Sequence, residues 1–106
     1  MAVIAVTVLT VKPDRYEDLL ADTRKSKAIL EKSGARDVRL VASMTAGGGA
    51  MASLALSFEV DDFAAQGAVM DKFLADPEGL AVMMSTVSSE SPVAGFQSTT
   101  WVDVPL

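Results

Sequence analysis

Hydrophobic and polar positions change period four times along this chain, and each change marks a passage between strand and helix. The run 2–11 (AVIAVTVLTV) is rich in Val, Ile and Thr and fits a pleated strand. It is apolar on both faces, with Ile4, Val6 and Val8 on one and Val3, Ala5 and Leu9 on the other, so it should be covered on both sides. Lys12-Pro13-Asp14 ends it. Pro13 suits the first position of a helix, whose apolar stripe is Tyr16, Leu19, Leu20, Thr23, Ile29 and Leu30. Acidic Asp14, Glu17 and Asp18 open this helix and Lys25, Lys27 and Lys32 close it, complementing the macrodipole; Gly34 is a natural stop.

Two alternating stretches follow. In 36–44, Val38, Leu40, Ala42 and Met44 share one face and Asp37, Arg39, Val41 and Ser43 the other. In 51–60, Ala52, Leu54, Leu56, Phe58 and Val60 oppose Met51, Ser53, Ala55, Ser57 and Glu59. Period two on either side of the Gly-rich connector 45–50 predicts an antiparallel hairpin. Asp61 or Asp62 caps a second helix with Phe63, Met70, Phe73 and Leu74 on its stripe. Asp76-Pro77-Glu78 breaks and restarts that helix, with Asp76 as N-cap and Pro77 in the first turn. Leu80, Met83, Met84 and Val87 mark the new segment, 85–91 is a polar connector, and 93–104 is a last strand.

The order is βαββαβ with a broken second helix, filling residues 1–106 as one domain. It predicts an α+β, ferredoxin-like fold, with four antiparallel strands and the helices on one face. Helices can cover only one face of the sheet. The other, read by parity as Val3, Ala5, Leu9, Val41, Met51, Ala55 and Trp101, is more apolar than a soluble monomer usually exposes, so a homodimer through the sheet face is expected.

Composition narrows the chemistry. The chain holds 9 basic and 14 acidic residues, a net charge of −5, without a basic run, so neither a nucleic acid nor an anionic membrane surface is an expected partner. It has no Cys, His or Asn. Disulfides, thiolate chemistry and Cys-based zinc sites are excluded, in keeping with a cytoplasmic location. No serine triad of the usual kind can form without His. The apolar run at the start is too short to span a bilayer and has no basic region before it, so no leader segment is expected.

The opening strand with KPDRYEDLLADTRKSKAILEKSGA, then SLALSFEVDD, then FLADPEGLAVMMS resembles the dimeric α+β barrel superfamily, and within it small proteins of the antibiotic-biosynthesis-monooxygenase-like kind. The resemblance covers nearly the whole chain and implies its fold. The superfamily includes cofactor-independent monooxygenases, haem-degrading enzymes, small dehydratases and isomerases, and members without known activity. Haem-binding relatives use a His ligand and the monooxygenases an Asn, and this chain has neither. No cofactor and no metal site is therefore expected; Asp61-Asp62 could hold a cation only loosely, and Gly47-Gly48-Gly49 precedes a strand where a phosphate cradle would precede a helix.

By parity the barrel-facing side of the sheet holds Thr7, Arg39, Ser43, Ser53, Ser57, Glu59, Gln97, Thr99, Trp101 and Asp103. As catalytic candidates, Arg39 and Gln97 could steady a developing anion, and Glu59, or Asp103, could act as a base. Thr7, Ser43, Ser57, Thr99 and Trp101 would bind the substrate, with Trp101 stacking on a ring. The function expected is binding of a small hydrophobic, aromatic or polyketide-like molecule, or its cofactor-independent oxygenation. The alternatives are a non-catalytic interaction module, with an Arg39–Glu59 pair that is merely structural, and a cofactor-free isomerase or cyclase.

Overall fold

The computed structural model describes residues 2–43 and 53–105. The elements are β1 (Val3–Val11), α1 (Tyr16–Lys32), β2 (Arg36–Ala42), β3 (Ser53–Val60), α2 (Phe63–Ala75), α3 (Pro77–Thr86) and β4 (Val93–Val102). The strands form one antiparallel sheet in the order β2-β3-β1-β4, the ferredoxin-like topology. The Gly-rich connector, Met44 and Met51 lie outside the described residues.

The register sorts the two sheet faces. Across β3, β1 and β4 the rows Val60–Val3–Val102, Phe58–Ala5–Thr100, Leu56–Thr7–Ser98 and Leu54–Leu9–Phe96 share one face. Glu59–Ile4–Trp101, Ser57–Val6–Thr99 and Ala55–Val8–Gln97 share the other. Val3, Ala5, Leu9, Leu54, Phe58 and Val60 are buried, so the first set faces the helices. This corrects the parity expected for β1: Val3, Ala5 and Leu9 belong to the core, and Ile4, Val6 and Val8 line the free face. Because both faces of β1 are apolar, only pairing with the alternating β3 distinguishes them.

The core is two clusters. One gathers Val3, Ala5, Ile29, Leu30, Val38, Phe58, Val60, Val69 and Phe73; the other gathers Leu9, Val11, Leu19, Leu54 and Val93. Helix α1 begins at Tyr16, later than Pro13 predicts, because Asp14 turns the chain through φ 62° first. It stops where expected, with Gly34 at φ 104°, a left-handed value that glycine adopts without strain. Asp62 caps α2 by accepting the Ala65 N–H at 2.7 Å, and Asp76 caps α3 by accepting from Glu78 and Gly79, with Pro77 in the first turn. Two predicted stripes point elsewhere. Phe63 and Leu74 on α2, Leu80 and Met84 on α3 and Val87 just beyond it are exposed, while Val69 and Phe73 carry the α2 packing.

The sheet has unlike edges. On β2 a bulge separates Arg36 from Arg39, Asp37 sits at φ 47°, and three of its first four residues are charged. On β4 no residue from Val93 to Val102 is charged, and nine of its ten are exposed.

Candidate functional site

A cavity of about 180 Å³ lies between the sheet and the helices. Its walls take Leu9 and Leu19 from one core cluster and Leu30, Phe58 and Phe73 from the other, so the void divides the core in two. Small side chains meeting across the layers account for it. The floor is the row Leu56–Thr7–Ser98, and above it α1 presents Thr23 and Ser26, both buried. Where larger neighbours would interdigitate, hydroxyl-bearing residues leave space. Phe96, 57% exposed, and Ser98, also exposed, place an opening beside β4. A second cleft of about 130 Å³, lined by Lys25, Glu78, Ala81 and Ser85, shares Asp22 and Val82 with the cavity.

The polar groups of the cavity are mostly committed. Thr23 Oγ1 donates to the Leu19 carbonyl at 2.9 Å or that of Leu20 at 3.0 Å, Ser26 Oγ to Asp22 at 3.1 Å, and Thr86 Oγ1 to Val82 at 2.9 Å. Such bonds back to the preceding turn keep helical Ser and Thr compatible with an apolar wall. On the floor, Thr7 Oγ1 and Ser98 Oγ lie 3.0 Å apart.

The residues picked from the sequence lie mostly on the sheet face expected of them, away from this cavity. Arg39, Ser53, Ser57, Glu59, Gln97, Thr99 and Trp101 are on the free face, opposite the helices. Trp101 Nε1 donates to Thr99 Oγ1 at 3.0 Å. Ser43 is exposed just beyond β2, its N–H bonded to the Ser53 carbonyl at 2.9 Å, and Asp103 is exposed beyond β4. Thr7 is the exception. It lies on the helix side and lines the cavity, because it pairs with Leu56 and Ser98. The Arg39–Glu59 pair does not form. The bulge brings Arg36 opposite Glu59, at 3.8 Å, and Arg36 also bonds Asp61 at 2.7 Å. Asp61 is thus an ion-pair partner and Asp62 a cap. What the sequence reading missed is the helix-side cavity; its signals were Thr7 among aliphatic core positions and Ser26 on the buried side of α1.

The fold has solved counterparts. A Nitrosomonas europaea protein that takes its name from the antibiotic biosynthesis monooxygenases superposes with a TM-score of 0.74 at 11% identity, covering 97% of this chain and 90% of that one. The fold is ferredoxin-like. A NIPSNAP domain protein from Burkholderia xenovorans gives 0.67 at 17% identity over 96% and 94% of the two chains. A Dabb family protein from Mesorhizobium loti, described as having a ferredoxin-like fold, gives 0.60 at 16% over 99% and 100%. No family model and no curated protein matches the sequence. The resemblance drawn from the sequence therefore holds at the level of fold. Among the described residues, no helix is long and apolar enough to cross a membrane.

Proposed function

We propose that the protein binds a small, largely apolar molecule in the cavity between the sheet and the helices. The observation that carries this reading is the void of about 180 Å³ that divides the core and opens beside β4. An engineered apolar cavity of about 150 Å³ takes up benzene, so a space of this size has room for a single ring or a compact fused pair. Catalysis by Arg39, Glu59 and Gln97 is not part of this reading, because those side chains belong to the opposite face of the sheet. The test is calorimetric titration with indane, a neutral bicyclic hydrocarbon. Saturable binding of one indane per chain is expected, abolished by Ser26→Leu, which fills the cavity; failure of the wild-type protein to take up either indane or its ketone, 1-indanone, would overturn the reading.

The free face of the sheet takes a second copy of the chain. In its support, Ile4, Val8, Val41 and Trp101 are 37%, 39%, 47% and 60% exposed on one continuous surface. A two-fold axis would pack this surface against itself. Sedimentation equilibrium should report dimers for the wild type and monomers for Val8→Glu. A wild-type monomer at high micromolar concentration would remove the dimer and leave the cavity proposal standing.

A further inference from the structure

The lining of the cavity has a proton inventory, and it is lopsided. Five hydroxyls border the space: Thr7, Thr23, Ser26, Thr86 and Ser98. Three of them, on the helices, spend their protons on main-chain carbonyls and turn only lone pairs towards the cavity. The two on the sheet, 3.0 Å apart, have two protons between them and need one for their mutual bond. Among the described lining residues one hydroxyl proton is left over, and it lies on the floor beside the opening. Asp22, the carboxylate of the wall, offers only acceptors when ionised, as do the helix hydroxyls. A ligand anion would face lone pairs and a negative charge, in a protein of net charge −5.

We infer that the cavity selects neutral ring compounds bearing a carbonyl oxygen, which accepts the spare proton of the Thr7–Ser98 pair while the ring lies against the apolar wall. This rests on the reading that the cavity holds a ligand at all. A bare hydrocarbon seated here would keep solvent from this proton and offer it no acceptor in exchange. A ketone restores it.

The pair is redundant, which gives the test its form. In Ser98→Ala the Thr7 hydroxyl loses its partner and keeps a proton to give; in Thr7→Val the Ser98 hydroxyl does the same. Only Thr7→Val/Ser98→Ala has no donor. Calorimetric titrations would compare 1-indanone with indane, which differ by the carbonyl. Both single variants should hold 1-indanone about as well as the wild type. The double variant should bind it about fivefold more weakly, the loss of one neutral hydrogen bond, with indane affinity unchanged. Circular dichroism would establish that the variants fold, and Thr7→Ala/Ser98→Ala supplies a second donor-free protein should the first not do so. If the donor-free protein keeps its 1-indanone affinity, or weakens for both compounds alike, the inference is overturned and the cavity reading survives. If neither compound binds the wild type, both fall together.

Discussion

Lys32 and Asp76 meet at 2.9 Å and tie the end of α1 to the joint between α2 and α3. Asp76 also receives the Glu78 N–H at 2.9 Å and that of Gly79 at 3.4 Å, so one carboxylate serves as tether and cap. The hydrogen bond from Lys32, then that from the Glu78 backbone, hold the Asp76 carboxyl below its ordinary pKa; the same contact, with the charge of Asp76, pushes the Lys32 ammonium up. The stability Asp76 contributes is therefore fully present above the ordinary carboxylate pKa of about 3.9 and is lost as pH falls through the lowered folded-state value. That of Lys32 is present below the ordinary lysine pKa and is lost as pH rises through the raised one. Thermal melting against pH should show this acid limb shallower in Asp76→Asn, which keeps a capping side chain but does not titrate. Asp76→Ala, lacking both, should melt lowest of the three at neutral pH.

The joint has a second constraint. A Cβ on Gly79 would fall against the carbonyl oxygen of Phe73, a main-chain atom inside α2 that cannot swing aside. Gly79→Ala should cost about 2 kcal/mol or more in urea unfolding, within the range of overpacking, despite alanine's better helix propensity. Gly67→Ala, where a Cβ meets nothing within 4 Å, should be neutral or stabilising.

Asp37 tests the bulge on β2. At φ 47° it occupies the left-handed region, where Asp is tolerated and β-branched residues are not. Asp37→Val should lose about 1–2 kcal/mol and Asp37→Gly should not, as read from denaturant midpoints.

Truncation should report how the cavity divides the core. Leu54, 1% exposed within the second cluster, should cost about 2–5 kcal/mol as Leu54→Ala. Met83 borders the void and is only partly buried, so its side chain has fewer partners to lose. Met83→Ala should cost less than Leu54→Ala in the same urea series.

The fold was legible because the period changes were clean where one face was polar. The alternating β3 and the break at Asp76-Pro77 were read correctly. The face of β1 was not, because Val and Ile occupy both its parities and pairing with β3 decides between them. Most candidate residues lie on the free face to which parity assigned them, and the exception, Thr7, follows from the same ambiguity in β1. Thr7 was singled out, but with the wrong neighbours, because its side of the sheet was misassigned. The small residues that face it around the void, Ser98 on β4 and Thr23 and Ser26 on α1, come from distant parts of the chain, and a void between them has no sequence motif. The bulge at Asp37 likewise moved the partner of Glu59 from Arg39 to Arg36, a shift that strict alternation cannot anticipate.

The contrast between the two sheet edges bears on what crowding would do to this protein. A sheet with two bare edges can recruit strands without limit and grow into a fibre. Here one border carries alternating charge and a kink, and the other is an uncharged ribbon of ten residues. Edge-to-edge encounters are thus channelled into one kind, β4 against β4, and two molecules joined in that way have only guarded borders left. For single chains the asymmetry makes lateral association self-limiting at a pair.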